Sequence, residues 1–346
     1  VSSPATTDVI VDKQGRLGRI RLNRPKAIHA LTTDMCLAII DALAEFEGDD
    51  DIAAVLFDHA EGRGFCAGGD IRMLATSGQG DGSDARAFFH AEYRMNHRLF
   101  TYTKATVAFM DGIVMGGGVG IALPCTYRVA TENTRFAMPE TGIGLFPDVG
   151  GGWYLSRLPG QVGKFLALTG ARLDGAECLA LNLATHYLSS ESVPAAIDAV
   201  HDSPDIFATL KSVGVGAPLA RIVENRTHID RLFAGDSVAE IMSALEADGG
   251  EWAMKELATL RTKSPLSMTV SLRQLREGAA MPDFAAEMRQ EYAIGARVVH
   301  THDFIEGVRA LIIDKDNSPQ WVPVVDDAEV EAIFAPMPPG EEWTPL

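Results

Sequence analysis

The chain has 346 residues, 47% of them hydrophobic, and a net charge of -17. That length buries a large core, as one big domain or as a core with an appendage. So acidic a balance argues against a nucleic-acid binder, whose affinity comes from neutralising phosphates with Lys and Arg, and leaves an anionic ligand in need of a local basic patch.

In chain order, Val9 to Val11 and Arg19 to Leu22 alternate around Gln14-Gly15 and predict a hairpin. A helix follows, with Thr33 as its N-cap and Ile39, Ile40, Leu43 and Phe46 at helical spacing. Ala53 to Phe57 and Thr106 to Met110 are short apolar runs of the kind used by buried strands, each followed by a glycine-rich loop and a helix. Repeated strand, turn and helix units up to about Leu188 imply an α/β layered core. Beyond about Pro194 the segments Leu219 to Phe233, Val238 to Ala247, Trp252 to Arg261 and Phe284 to Val299 carry helical periodicity. The expected division is a core over 1–193 and a mainly helical C-terminal region over 194–346.

Cys36, Cys66, Cys125 and Cys178 lack any CxxC pair and fit reduced thiols better than a zinc site or a disulfide framework. The stretch Val1 to Gly15 has no basic start followed by an apolar core, and the uncharged run Gly112 to Tyr127 is short and glycine-rich for a membrane span. Together these predict a cytoplasmic protein with no membrane partner.

The most informative segment is Phe136 to Leu158, where Glu140 and Asp148 stand among apolar residues, glycine and proline. Carboxyl groups are costly to bury, so this placement suits acid/base or nucleophilic work. A cap on the following turn for Glu140, and a helix start before Gly150-Gly151-Gly152 for Asp148, suit it equally. Two glycine clusters come after the apolar runs: Gly62-Arg63-Gly64-Phe65-Cys66-Ala67-Gly68-Gly69-Asp70-Ile71 and Met115-Gly116-Gly117-Gly118-Val119-Gly120. Neither fits the dinucleotide fingerprint, since the third glycine would fall at Ile121. Such loops offer backbone N–H groups to developing negative charge, or merely permit tight turns. His300 and His302 lack a third metal ligand and read as a surface helix start, and no GxSxG elbow occurs. No metal, flavin or nicotinamide site is expected.

In order and spacing these segments resemble the crotonase (enoyl-coenzyme A hydratase/isomerase) superfamily over about Val9 to Leu188. The resemblance implies a crotonase-like spiral of repeated ββα units, with coenzyme A bent across its face. Asn23 to Leu31 is similar to the family's first coenzyme A loop and Phe65 to Ile71 to its second. The binding residues it implies are Arg24, Lys26, Ala27, Ala67, Gly68, Gly69, Asp70 and Ile71, with Gly69 and Gly117 supplying the oxyanion hole. Hydratases of the family use two glutamates. Here Glu140 after Pro139 matches the second, while Gly120 stands where the first is expected.

The run PETGIGLFPDVGGGW, with Ser264 to Ser267 and Glu306 to Asp316, Pro319 and Trp321, resembles instead the 3-hydroxyisobutyryl-coenzyme A hydrolases. That branch implies hydrolysis of a short-chain 3-hydroxyacyl thioester to acid and free coenzyme A, as in valine breakdown, with coenzyme A as part of the substrate and no separate cofactor. Glu140 and Asp148 would be the catalytic acids, and Glu92, in the run Phe88 to Asn96, would line the substrate pocket. A hydratase or isomerase, and a noncatalytic acyl-coenzyme A binding protein, are the alternatives. The superfamily also implies a homo-oligomer, a trimer or hexamer.

Overall fold

The computed structural model of the chain describes residues 6–201 and 203–346. The hairpin is present as β1 (Val9–Gln14) and β2 (Leu17–Leu22), antiparallel, with Gly15 at positive φ in the turn. Strand β2 then pairs in parallel with β3 (Ala54–His59), and β5 (Ala105–Met110), β7 (Tyr127–Ala130) and β9 (His186–Tyr187) extend a six-stranded sheet in the order β1-β2-β3-β5-β7-β9. A second sheet is made of β4 (Gly64–Cys66), β6 (Ile113–Met115) and β8 (Arg135–Ala137), all parallel.

The two sheets arise from one phrase repeated along the chain: a strand in the large sheet, a strand in the small one, then a helical turn. β3 and β4 lead to α2 (Ile71–Gly78), and after α3 (Ser83–Phe100), β5 and β6 lead to α4 (Gly117–Ala122). β7 and β8 lead only to the 3-10 turn Glu140–Ile143, because Pro139 enters it and Gly144, at φ 76, ends it. The chain is therefore a spiral of ββα units followed by a largely helical C-terminal region. Its three turns deliver Gly68-Gly69, Gly116-Gly117 and Pro139-Glu140 to the same edge, the carboxyl ends of the small sheet, which is where parallel strands generally place their sites.

Two details differ from the sequence expectation. Helix α1 (Thr33–Gly48) is capped by Thr32, whose backbone is extended and whose side chain accepts from Met35 N, while Thr33 is already helical. The segment Leu219 to Phe233 divides into helices Arg221–Glu224 and Arg226–Leu232 with Asn225 between them. The small-sheet strands, three residues each, are too short to leave a periodicity.

A continuous apolar core joins both regions, from Ile39, Phe46 and Phe57 through Phe136 and Phe146 to Leu257, Met288 and Phe304. A smaller core, including Leu56, Val107 and Val129 with Ile197 and Leu210, seals the other face of the large sheet against the helix Val193–His201. No helix among the described residues is long and apolar enough to cross a membrane.

The chain end is tied to α3. Trp343 is fully buried, donates from its indole N–H to His90 O at 3.3 Å and meets the His97 ring edge-on, while Arg94 holds Thr344. Loss of so large a buried side chain typically costs about 3–5 kcal/mol. Trp343→Ala is therefore expected to lower the urea midpoint strongly and, because α3 carries Glu92 and Tyr93, to reduce turnover; an unchanged midpoint would show the tail to be dispensable.

Candidate active site

The first two turns of the spiral are stitched together by backbone bonds. Ala67 N donates to Ile28 O at 2.9 Å, Leu31 N to Gly68 O at 2.7 Å, and Asp70 N to Leu31 O at 3.0 Å. Arg24 pairs with Asp70 at 3.0 Å and also donates to Ala30 O, and Asp70 caps α2 by accepting from Met73 N. Buried His29 completes the brace: its Nδ1 accepts from Arg24 N, which leaves Nε2–H to donate to Glu61 O. Burial lowers the His29 pKa, in keeping with a neutral ring.

At the edge of these loops, among the described residues, the N–H groups of Gly69 and Gly117 have no protein acceptor. Gly68, at φ 119, and Gly116, at φ 47, take up backbone that a side chain would strain. There is also no room beside them. A Cβ on Gly69 would lie 2.8 Å from the Phe88 ring, and one on Gly117 would lie 2.5 Å from Glu92 Oε1. Two unused donors thus project from tightly packed backbone, the arrangement that stabilises an oxyanion without reorganisation.

Three carboxyl groups converge here. Glu92 reaches in from α3, where its i and i+4 relations with Phe88 and Asn96 fix one buried face. Glu140 opens the third turn, and its Oε1 is 3.4 Å from a Cβ placed on Gly116. Asp148 accepts a hydrogen bond from Tyr93 Oη at 2.8 Å. Glu92, Glu140 and Asp148 are each 5% exposed or less, and Glu92 Oε1 and Glu140 Oε2 are buried without a partner. All three line one narrow cavity of about 70 Å³ with Gly69, Gly117, Phe88 and Leu145. A larger groove of about 690 Å³ on the C-terminal side, between Lys164, Leu272 and Val330, holds no comparable group of buried acids.

Burial without a cation sets the acidities. Desolvation pushes Glu140 well above the usual carboxyl range, and the nearby Asp148 charge pushes it further. Glu92 is raised in the same way by desolvation, Asp148 and Glu140. Asp148 is raised by desolvation to about 6, partly offset by the Tyr93 hydroxyl. That hydrogen bond makes Asp148 the first of the three to ionise, and its charge in turn favours the protonated forms of its neighbours.

Glu140, Asp148, Glu92, Gly69 and Gly117 line one cavity, and Ala67, Gly68 and Ile71 line it with them. Lys26 is exposed on the short turn Pro25–Ala27, while Arg24 is engaged with Asp70 and Asp70 with the α2 cap. Ser264 to Ser267 supports the third turn from behind: Ser264 N donates to Thr141 O, and its hydroxyl donates to Asp303. The Glu306 to Asp316 segment is an internal clamp around Arg309. His300 and His302 face backbone carbonyls of Gly78 and Gln320, and no metal-sized group of ligands occurs among the described residues. All four cysteines are buried thiols, with burial raising the Cys66 pKa to about 12.

Tyr93 and Asn96 are site neighbours that sequence reasoning missed. Tyr93 is next to Glu92, and a helical projection of α3 places Phe89, Tyr93 and Asn96 on the buried side. Asn96 explains the space at Gly120: a Cβ there would lie 2.6 Å from Asn96 Nδ2 and 2.7 Å from Val149 Cβ. The direction a side chain would take from position 120 is already filled.

The sequence profile of the enoyl-CoA hydratase/isomerase family matches residues 17–334. A Danio rerio protein named 3-hydroxyisobutyryl-CoA hydrolase, mitochondrial, is 42% identical over 334 residues, 93% of this chain and 87% of its own length. Its Homo sapiens counterpart is 39% identical over 329 residues, 92% and 85% of the two chains. Among solved structures, one described as a carnitinyl-CoA dehydratase from Mycobacterium thermoresistibile superposes with TM-score 0.93 at 40% identity, covering 98% of this chain and 99% of that one. One described as an enoyl-CoA hydratase from Rhodobacter sphaeroides gives 0.90 at 38% identity, covering 98% and 100%. The chain belongs to the enoyl-CoA hydratase/isomerase (crotonase) family, within the group of 3-hydroxyisobutyryl-CoA hydrolase relatives.

The cytoplasmic location expected from the N-terminal residues is overturned by these relatives, whose vertebrate members carry "mitochondrial" in their names. That expectation tested only for a secretory pattern, whereas mitochondrial leaders are amphipathic and Arg-rich with no apolar core. The first five residues it rested on lie outside the described ones.

The raised pKa of Asp148 has a consequence for stability. Because its folded pKa of about 6 exceeds the ordinary value of 3.8, the associated stability is complete below the unfolded pKa and is lost as pH rises to the folded one. The loss amounts to about 3 kcal/mol at neutral pH. Asp148→Asn is expected to melt higher than the parent at neutral pH, with the advantage gone near about pH 3.5. Superimposable pH–stability curves for the two proteins would contradict the desolvated site.

Proposed function

We propose that this chain hydrolyses the thioester of 3-hydroxyisobutyryl-CoA, or a close short-chain 3-hydroxyacyl-CoA, to the free acid and coenzyme A. The observation that carries the reading is the meeting of Glu140 and Asp148 at the two free N–H groups while position 120, a glycine, is closed off by Asn96. The names of the relatives, from fish to human, agree with it. The small cavity suits a short acyl group.

In this mechanism the thioester carbonyl oxygen accepts hydrogen bonds from Gly69 and Gly117 N–H. Loss of one such donor typically costs about 3 kcal/mol of transition-state stabilisation. Glu140, ionised by passing its proton to the already ionised Asp148, either removes a proton from the attacking water or adds to the carbonyl itself, giving an acyl anhydride that water then opens. In both routes the C–S bond breaks and the sulfur leaves to become the thiol; the acyl carbon takes its new oxygen from water directly, or first from Glu140 with water then cleaving the anhydride to the free acid and the Glu140 carboxyl. Asp148 moves the proton between water and sulfur, or holds the substrate hydroxyl. Glu92, kept neutral by its neighbours, donates to the acyl group. Ala27, Lys26 and the Ala67 to Ile71 loop contact coenzyme A, and Arg24 and Asp70 hold that loop in shape. The spiral over 1–193 carries the chemistry, the region over 194–346 covers it, and the active form is a homo-oligomer, trimeric or hexameric.

A second reading, addition or removal of water across a C–C double bond, draws support from the descriptions of the two solved structures. Product analysis separates the two. Incubation with 3-hydroxyisobutyryl-CoA is expected to release free thiol, and crotonyl-CoA to keep its enoyl absorbance; the reverse pattern would make the protein a hydratase. Glu140→Gln and Asp148→Asn are each expected to lower turnover by at least about a hundredfold while coenzyme A binding persists. Wild-type turnover in either variant would remove that acid from the mechanism.

A further inference from the structure

Asp148 sits in a turn whose backbone is unusual. Val149 is at φ 53 and Gly150 at φ 91, so two consecutive residues are left-handed, and the first is β-branched and buried. Valine rarely adopts that conformation, which persists only where the surroundings over-determine it. The hydrogen bond from Gly151 N to Asp148 O, at 2.8 Å, is local and would form in many turns.

The surroundings that determine this turn come from two C-terminal helices. Glu291, on the helix Phe284–Val298, accepts from Gly150 N at 2.8 Å and from Gly152 N at 3.3 Å. Gln274, on the helix Pro265–Gly278, donates to Pro147 O at 2.8 Å and to Glu291 at 3.1 Å. Both side chains are completely buried. Between them they bind the backbone on either side of Asp148, and the carboxyl of Asp148 itself is met by Tyr93. A second buried acid, Glu287, lies one helical turn before Glu291, beside Gly152 and Gly278, with both oxygens lacking a partner. The groups whose charges face Glu291 are Glu287 and Asp148, and Arg157 is the cation facing Glu287. Two buried carboxyls in succession on one helix are poor material for a core, and a cluster with an unsatisfied member is retained against its own cost. No part of the hydrolysis uses these residues directly.

We propose that Glu291, held by Gln274, is the positioning residue for Asp148: its carboxyl oxygens accept from the N–H groups of Gly150 and Gly152 and so keep the 147–152 turn in the left-handed form that aims Asp148 at the Glu140 cavity. The proposal rests on the reading of Asp148 as an acid of the reaction. A clamp that only stabilised the fold would change Tm and leave the catalytic parameters of the folded enzyme alone. A positioning clamp acts on kcat, because a displaced acid binds substrate as before but reacts poorly.

The test is a kinetic cycle on the full chain with 3-hydroxyisobutyryl-CoA, using Glu291→Gln, Asp148→Asn and the double variant. Gln keeps the size of the side chain but turns an N–H donor toward one of the glycine N–H groups. Glu291→Gln is expected to lower kcat by about tenfold or more with KM within about threefold, and the double variant to be no slower than Asp148→Asn alone, since a group that acts through Asp148 has nothing left to position. A kcat within about threefold of the parent, a rise in KM that accounts for the loss, or a double variant that loses the product of the two single effects would each overturn the proposal. If Glu291→Gln is recovered unfolded, Gln274→Met, which removes the amide that donates to Pro147 O and Glu291 while keeping similar bulk, runs through the same cycle with the same criteria. The two levels separate cleanly: wild-type turnover in Asp148→Asn sinks the reading of Asp148 and this proposal with it, whereas a crippled Asp148→Asn beside a normal Glu291→Gln sinks this proposal alone.

Discussion

The constraint on which this structure depends is the burial of three carboxyl groups, Glu92, Glu140 and Asp148, around two backbone N–H groups that, among the described residues, have no acceptor, in a cavity lined by no described cationic side chain. Carboxyl groups taken from water in this way are held toward their protonated forms, and each charge that does form opposes the next. A cation in the cavity would relieve the cost and would also hold every acid ionised, leaving none to carry a proton to the leaving sulfur. The site remains poised because, among the described residues, the side chain that donates to these acids is the neutral hydroxyl of Tyr93, on Asp148.

Everything around the acids serves to make that arrangement tolerable. The repeated ββα phrase brings three loops to one edge, so that a glycine pair is used twice for its N–H groups and a Pro-Glu pair once for its carboxyl. The first two loops are locked by backbone hydrogen bonds and the Arg24–Asp70 pair. The C-terminal helices then close the back of the site through Ser264 behind the third turn and through Gln274 and Glu291 behind Asp148. Stability is given up at the acids and recovered in the continuous apolar core that spans both regions.

Much of this was legible in the sequence where the signal is local. Glu140 and Asp148 stood out because polar residues are rare in so apolar a run, and the glycine pairs because no regular element needs them. The hairpin and the long helices followed from periodicity. Glu92 was harder: it suited an exposed helix face as well as a pocket, and only the packing of α3 beneath the glycine loops buries it. The three small-sheet strands, at three residues each, are too short to carry a period. Tyr93, Asn96, Gln274 and Glu291 were invisible because their partners lie far away in sequence: Asp148 is 55 residues from Tyr93, and Gly150 is 141 from Glu291. The cytoplasmic location failed for a different reason, since compartment is written in a leader and not in the fold.

The central claim is that the site is a solvent-excluded cluster of acids that ionises in order, Asp148 first. Carboxyl-carbon NMR of selectively labelled protein, with resonances assigned through Glu92→Gln, Glu140→Gln and Asp148→Asn, reads this directly. The account predicts that Asp148 titrates at about 6 and that Glu140 and Glu92 titrate above the ordinary glutamate range, each moving down when Asp148 is replaced by Asn. Three independent titrations near about pH 4, indifferent to one another's removal, would mean that the acids are solvated and that the burial on which the account rests does not govern them.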